Sequence, residues 1–359
     1  MTTTIRLGAG TALATTLAFA AAGAATADTF TLRIGSGHPN GPSVYVTDVA
    51  NFFVPEVKRR VAEETEHEIE FVEGYGGAIA GVAETLESVQ NGILDIGAYC
   101  ICFEPAKLFL HNFPYYAPFG PQDSAQQMEA VRAVYDQIPW LTEQFTQEYG
   151  QVLLGLHGWD DYHLGTTNPW ESVADLQGVK IGGAGPNLPW LEYAGAIPVQ
   201  STLPEGYLSL QTGVYDGWLM FPSAYLGFKY YEPSPYYTLI GFGAMGVNAL
   251  TMNQRSLERL PEDVQQIILE VGAAYEAQAG ESLNAAQQRG LDGLAEAGAV
   301  ITEITPEVRA EWAASLAEFP AAMAADANGR GMPGTEVMNA YLQAATDAGF
   351  DWPLDYTIE

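Results

Sequence analysis

The segment "VKIGGAGPNLPWLEYAGAIPVQSTLPEGYLSLQTGVYDGWLMF" (179–221) decides the fold class, because two predicted strands enclose predicted helices within it. Val179 and Ile181 alternate with Lys180 and predict a short strand, and "VYDGWLMF" (214–221) predicts the second. Three glycines within four residues end the first strand, which indicates that something lies close to the backbone there. Chains that alternate in this way form α/β proteins with mainly parallel sheets.

The alternation extends outward in both directions. A long extended stretch is predicted at 238–253, and a long helix after Pro261. Thr305-Pro306 opens another helix. The remaining predicted strands are "TFTLRIG" (29–35), "EIEFVEG" (68–74), "ILDIGAY" (93–99) and "QVLLGLH" (151–157), with helices roughly over 43–65 and 82–92.

Charge and the N-terminus restrict the compartment and the partners. With 14 basic and 44 acidic residues the net charge is −30, which repels nucleic acid and anionic lipid. Residues 1–27 combine Arg6, the apolar run "LATTLAFAAAGAA" and the small-residue site "ATA", and predict a cleaved signal peptide and a periplasmic protein. A retained N-terminal anchor is the alternative. No later segment is long and apolar enough to predict stable membrane insertion.

Enzyme and cofactor motifs are missing from the sequence. It contains neither G-x-S-x-G nor H-E-x-x-H, and its five histidines show no metal-ligand spacing. "GSGHPNG" (35–41) has Asn40 at the third glycine position of a dinucleotide loop, so no cofactor is predicted. Cys100 and Cys102 form a C-x-C motif in an apolar stretch, and we expect buried free thiols because a disulfide would close a tight ring.

Several ordered segments together resemble the solute-binding proteins of TRAP transporters. They are "EFVEGYGGAIAGVAETLESVQNGILDIGAY" (70–99), "ESVADLQGVKI" (171–181), "GAIPVQSTLPEGYLSLQTGVYDG" (195–217) and "LPEDVQQII" (260–268). The resemblance covers nearly the whole chain after residue 27. It implies a two-lobed periplasmic-binding-protein fold with mainly parallel sheets, hinge strands and a long connecting helix. The lobes would close over a small organic solute by a hinge motion, and the receptor would deliver it to separate TRAP membrane subunits.

The resemblance also implies a division of the chain. We expect 28–157 to form the main part of lobe I and 158–240 the main part of lobe II. Residues 241–359 would supply a hinge strand, the long helix and C-terminal helices that return to both lobes.

The arginine that most of the family uses to bind a ligand carboxylate is not found. The resemblance places Gly182 at its position, with Lys180 as the nearest basic residue, and no arginine occurs between Arg132 and Arg255. Aromatic residues and a few polar ones are expected at the cleft instead, whereas Asp160 and Asp161 are expected to be solvated or turn residues. The predicted ligand-binding residues are His38, Tyr75, Tyr99, Trp159, Tyr162, Lys180, Gly182, Asn187, Trp218, Phe221 and Tyr225.

Without the arginine, we expect a neutral, cationic or aromatic solute. A monocarboxylate held by Lys180 and backbone N–H groups is the competing hypothesis for the ligand. Two competing hypotheses concern the class of protein: an exported enzyme on the same scaffold, and a receptor that serves a sensor kinase.

Overall fold

The structure is a computed structural model that describes residues 1–4 and 28–359. Most of the predicted signal peptide, 5–27, therefore lies outside the described residues. Within the described ranges the chain forms two sheets flanked by helices.

The first sheet has five strands in the order β2-β1-β3-β10-β4. β10 runs antiparallel to both of its neighbours, while β1 pairs in parallel with β2 and β3. All nine residues of β10 are buried, as expected for a central strand. The strands are β1 (Thr29–Gly35), β2 (Glu68–Gly74), β3 (Ile96–Cys100), β4 (Gln151–Trp159) and β10 (Met245–Asn253).

The second sheet has six strands in the order β11-β9-β5-β8-β6-β7. Only β5 runs against its neighbours. The strands are β5 (His163–Thr166), β6 (Lys180–Gly183), β7 (Ile197–Gln200), β8 (Gly217–Met220), β9 (Tyr236–Leu239) and β11 (Val300–Glu303).

Helices flank both sheets. α1 and α2 are joined by a π-helical turn, Val49–Phe53, into one continuous helical segment. Asp123 caps α5 by accepting hydrogen bonds from the backbone N–H groups of Ala125 and Gln126. The helices are α1 (Val44–Asp48), α2 (Val54–Glu64), α3 (Thr85–Gln90), α4 (Phe113–Tyr116), α5 (Ser124–Gln137), α6 (Pro139–Tyr149), α7 (Leu203–Gln211), α8 (Pro222–Gly227), α9 (Gln254–Glu258), α10 (Glu262–Glu296), α11 (Pro306–Ser315), α12 (Phe319–Gly329) and α13 (Gly334–Asp347).

The chain passes between the sheets along two short segments, 160–162 and 240–244, which we name the crossing segments. They pair with each other: Tyr162 N–H donates to the Gly243 carbonyl at 3.2 Å, and Phe242 N–H donates to the Tyr162 carbonyl at 3.1 Å. The 35-residue helix α10 is a further connection. It packs on β4 of the first sheet and on α8, which follows β8 of the second.

Glycines let α10 approach both partners closely. A Cβ atom on Gly272 would lie 3.0 Å from the Leu154 carbonyl carbon in β4. A Cβ atom on Gly290 would lie 2.6 Å from the Pro222 carbonyl carbon at the start of α8. Any larger side chain at either position would therefore push the helix away from its partner.

The predicted α/β class with mainly parallel sheets is confirmed. The stretch predicted as one extended element at 238–253 is instead the end of β9, the second crossing segment and β10. Strands β5, β7 and β11 have no counterpart in the prediction.

Candidate functional site

A small cavity lies where the two sheets meet, at the carboxyl ends of strands from both. His38 follows β1, Trp159 ends β4 and Phe221 follows β8. In mainly parallel α/β folds this edge is where ligands bind. The cavity measures about 10 Å³, close to the space of one water molecule. We name it the aromatic cavity, and its lining residues are His38, Cys102, Phe103, Trp159, Tyr162, Ala184, Ser201, Leu203, Trp218, Leu219, Met220 and Phe221.

Aromatic rings contributed by both sheets pack against one another across this cavity. Trp159 stacks on Phe221 with ring centroids 4.7 Å apart and planes inclined by 20°. Tyr162 meets Phe221 edge to face at 5.1 Å. All three side chains are buried. A flat solute that entered between these rings would exchange one aromatic contact for another.

Gly182 explains the glycine-rich end of β6. It is the register partner of Trp218 in the adjacent strand β8. A Cβ atom on Gly182 would lie 2.5 Å from Trp218 Cζ3 and 3.0 Å from Tyr215 Cζ. The Trp218 ring, stacked on Tyr215, thus occupies the space that a side chain at 182 would need. At the position implied for the family's arginine, this chain has an indole ring in place of a cation.

His38 is held by a hydrogen-bonded chain at the end of β1. Its Nδ1 lies 2.9 Å from the Tyr45 hydroxyl, which lies 3.0 Å from Ser36 Oγ. Ser36 Oγ in turn accepts a hydrogen bond from His38 N–H at 3.1 Å. Complete burial lowers the pKa of His38 to about 3, so its imidazole is neutral at any ordinary pH.

Two lining side chains carry nitrogen atoms without hydrogen-bond partners among residues 1–4 and 28–359. They are His38 Nε2 and Trp218 Nε1. Asn187, buried beside the cavity, accepts a hydrogen bond from Ala184 N–H at 3.0 Å, and its Nδ2 also lacks a partner in the described part of the chain. Buried polar atoms usually have partners, so donors left unpartnered at a cavity are available to hydrogen-bond a molecule that enters it.

Cys100 and Cys102 form a disulfide at the edge of the cavity, so the expectation of free thiols is wrong. The 3₁₀ turn Ile101–Phe103 after β3 brings the two Cα atoms to 5.1 Å, within the range that a disulfide spans. An extended strand, on which the expectation rested, would not turn in this way. Trp159 Nε1–H donates to Cys100 Sγ at 3.4 Å, so the disulfide helps to orient a ring of the cavity.

The other predicted site residues do not line this cavity. Tyr99 and Tyr225 are buried but do not line it, and Tyr225 donates to the Ser234 carbonyl. Tyr75 is half-buried after β2, outside the lining set. Lys180 is exposed at the start of β6, also outside that set.

Asp160 and Asp161 are not solvated turn residues, because both are fully buried in the first crossing segment. Ser223 N–H and Oγ–H donate hydrogen bonds to the Asp160 carboxylate at 3.0 and 2.5 Å. Gly243 N–H donates to Asp161 Oδ1 at 2.8 Å. Burial raises the pKa of Asp160 to about 6 and that of Asp161 to about 8. The sequence "WDDY" is typical of a polar turn, and only the pairing of the two crossing segments buries it.

Sequence reasoning missed several lining residues, and one signal could have found them. Cys102 and Phe103 follow β3, Ala184 follows β6, and Ser201 follows β7. Every one of these positions closely follows a strand that points its carboxyl end at the cavity. Applying the strand-end rule to each predicted strand would have found those after β3 and β6.

Two α/β units that meet over a cavity, joined by paired crossing segments and a long helix, define the class of two-lobed solute-binding proteins. Solved structures support this class. A TRAP solute-binding protein from Rhodoferax ferrireducens T118 with copurified benzoate is 19% identical, with a TM-score of 0.79, and the match covers 89% of this chain and 98% of that one. A marine metagenome TRAP protein specific for aromatic acid ligands, crystallised with 3-hydroxybenzoate, is 20% identical with a TM-score of 0.79 over 90% and 100% of the two chains.

A third structure, the Bordetella pertussis receptor DctP7 that binds pyroglutamic acid, is 21% identical with a TM-score of 0.74, over 87% of this chain and 99% of that one. At such identities these likenesses show the fold.

The sequence itself matches bacterial extracellular solute-binding protein family 7 (DctP) over residues 47–327. The chain belongs to this family, and the predicted resemblance to TRAP solute receptors is confirmed. In the part of the chain that the structure describes, no helix combines the length and the apolar character needed to cross a bilayer.

Proposed function

We propose that this protein is the periplasmic receptor of a TRAP transporter for a small, flat, aromatic-type solute bound in the aromatic cavity. The observation that carries the proposal is the lining itself. Stacked aromatic rings from both sheets meet there, and no described lining residue is an aspartate, glutamate, lysine or arginine. After export through the signal peptide at 1–27, the receptor would deliver its solute to the membrane subunits.

Electrostatics argues against an aliphatic dicarboxylate at this site. Burying a carboxylate without a matched cation costs several kcal/mol. Lys180 is exposed, and the Trp218 ring fills the place next to Gly182. The chain carries a net charge of −30, so its overall field does not favour an anion either.

Solute entry requires the two lobes to separate. A cavity of about 10 Å³ is far smaller than the several hundred Å³ of an ordinary ligand pocket. We place the main part of lobe I at 28–157, the main part of lobe II at 158–240, and a shared part at 241–359. The crossing segments 160–162 and 240–244 would bend as the hinge.

The solved relatives support an aromatic solute by analogy. Two structures of the same fold contain benzoate and 3-hydroxybenzoate. The proposal also holds that the chain has no enzymatic activity. The lining hydroxyl that meets a carboxylate, Ser201 Oγ, lies 3.5 Å from Glu205 Oε2, at the long limit of a hydrogen bond, and no described histidine is hydrogen-bonded to it. Prolonged incubation with any solute that binds would return it unchanged.

Thermal denaturation with matched solutes tests the proposal. We expect an aromatic amide or acid, at about a hundred times its Kd, to raise Tm by about 5–10 °C. Its saturated cyclohexane analogue and succinate would have much smaller effects, because neither stacks on flat rings.

Two variants make this test specific. Phe221→Leu keeps an apolar side chain but removes the stacked ring, and we expect it to weaken aromatic binding about tenfold. Phe145→Leu, in the core on α6 and outside the cavity, is the matched control and would retain binding. Stabilisation by succinate that is lost in Lys180→Ala and kept in Trp218→Ala would contradict the proposal.

A further inference from the structure

We propose that His38 Nε2–H and Trp218 Nε1–H donate hydrogen bonds to an acceptor on the solute, and that the solute is an uncharged planar molecule with a carbonyl-type acceptor. This inference rests on the proposed function and specifies the chemical class of its solute. Both side chains line the aromatic cavity and are about 1% exposed. Neither nitrogen has a partner within residues 1–4 and 28–359.

The hydrogen-bonded chain behind His38 determines which ring nitrogen carries the proton. Ser36 Oγ accepts from His38 N–H, and its own proton has one acceptor among the described residues, the Tyr45 hydroxyl. We therefore assign the Tyr45 hydroxyl as the donor to His38 Nδ1, which lies 2.9 Å away. With Nδ1 accepting and the ring neutral, the remaining proton sits on Nε2. The imidazole therefore presents a donor, not an acceptor, to a bound molecule.

The N–H groups of His38 and Trp218, unpartnered among the described residues, are hydrogen-bond donors, and donors disfavour a cationic solute. An ammonium group has only hydrogens to offer and would face the indole and imidazole N–H groups without an acceptor among them. Cation–π contacts of roughly 0.5–2 kcal/mol would remain available. However, none of the described lining residues supplies a carboxylate to neutralise the charge.

The absence of a cation selects against an anionic solute. A carboxylate would accept from both N–H groups, but its full charge would be buried among rings without a lysine or arginine in the described lining. A neutral carbonyl oxygen accepts the same two hydrogen bonds without that cost. Asn187 Nδ2, which has no partner among the described residues and lies beside Ala184, offers an additional donor at the same edge.

Isothermal titration with three probes of one shape tests the inference. Benzamide is neutral with a carbonyl acceptor, benzoate is the anion, and benzylammonium is the cation. We expect benzamide to bind at least about tenfold more tightly than either charged probe. The purified protein without its signal peptide is used throughout, with the same neutral buffer for every probe.

Three variants and one control test the hydrogen bonds assigned to His38 and Trp218. His38→Phe and Trp218→Phe each remove an N–H group, and we expect each to raise the benzamide Kd about tenfold. His38→Gln places an amide donor near the former Nε2 and is expected to stay within about threefold of the unsubstituted Kd. Trp312→Phe, in α11, loses an indole that donates to the Trp190 carbonyl. It lies outside the cavity and would leave the Kd unchanged.

The outcomes separate this inference from the proposed function. If benzoate or benzylammonium binds more tightly than benzamide, in a manner that depends on Phe221, the aromatic site stands and the uncharged class is wrong. If His38→Phe and Trp218→Phe both bind benzamide normally, the assigned donors are wrong. If none of the three probes binds at millimolar concentration, both the inference and the proposed function fail. Circular dichroism of each variant excludes misfolding, and His38→Gln provides the donor test if Trp218→Phe fails to fold.

Discussion

The aromatic cavity and the crossing segments lie between the same two sheets, yet they bury different kinds of groups. No described residue that lines the cavity carries a formal charge. Asp160 and Asp161, which directly follow Trp159, are both fully buried carboxyl groups. The difference follows from their partners. Ser223 and Gly243 N–H, which are permanent parts of the chain, donate hydrogen bonds to the carboxyl groups, whereas the solute proposed for the cavity would enter and leave.

The largest expected effect tests the close fit in the cavity wall. Trp218→Ala removes a buried indole, and we expect it to lower the free energy of unfolding by about 3–5 kcal/mol. Gly182→Ala places a methyl group 2.5 Å from Trp218 Cζ3 and is expected to cost about 1–3 kcal/mol. Urea denaturation measures both.

The double variant is the control for this pair. Without the indole, the added methyl group gains space, so Gly182→Ala combined with Trp218→Ala would cost clearly less than the sum of the single changes. Strict additivity would show that Gly182 and Trp218 are not coupled.

The first crossing segment is expected to make the free energy of unfolding depend on pH, with a change per pH unit smaller than the effect of Trp218→Ala. Burial raises the pKa of Asp161 to about 8, so the folded state binds a proton more tightly than the unfolded state does. The contribution of Asp161 to the free energy of unfolding therefore falls as pH rises from about 4 to about 8, by up to about 1.4 kcal/mol per unit. Buried histidines, among them His38 with its pKa lowered to about 3, oppose this trend below about pH 6.5, so the net decline is expected between about pH 6.5 and 8.

Substitution of each aspartate by asparagine shows which carboxyl group causes the dependence of the unfolding free energy on pH. Asp161→Asn is expected to flatten the curve between about pH 6 and 8. Asp160, with its pKa raised to about 6, contributes only between about pH 4 and 6. Asp160→Asn would therefore shift the slope in that range by up to about 1.4 kcal/mol per unit, towards higher stability at higher pH, and leave the slope between about pH 6 and 8 unchanged. Denaturation midpoints at each pH provide the measurement. A curve that rises over the upper of these two ranges in the unsubstituted protein would refute the assignment.

The smallest effect concerns the disulfide next to Trp159. The Cys100–Cys102 loop is very short, so replacing both residues by serine is expected to cost about 1–2 kcal/mol, at the low end for disulfides. Benzamide affinity would fall only a few-fold, because Trp159 loses one sulfur acceptor but keeps its stacking on Phe221. A loss of binding above about a hundredfold would show that the disulfide, and not the rings, determines the site.

Local patterns predicted much of the fold and part of the site. The long helix α10 was found because its apolar residues recur over many turns, whereas β10 was found only as part of the extended stretch 238–253. Trp159, Trp218 and Phe221 were identified through the resemblance and do line the cavity. The burial of Asp161 and the turn that joins Cys100 to Cys102 were missed. Both depend on how the chain packs in three dimensions, and single-sequence periodicity contains no information about that.

The spacing of two glycines in α10 fixes the distance between its contacts with β4 and α8 and the face of the helix that makes them. Gly272 contacts β4 and Gly290 contacts α8, and they are 18 residues apart, which at 3.6 residues per turn is about five full turns and ~27 Å. Both contacts thus lie on the same face of the helix. Deleting a single residue between them would rotate the far contact by about 100° and present a bulkier neighbour to Pro222. The number of residues between the two glycines therefore determines which side chains of α10 face β4 and α8, independently of any side chain in the cavity.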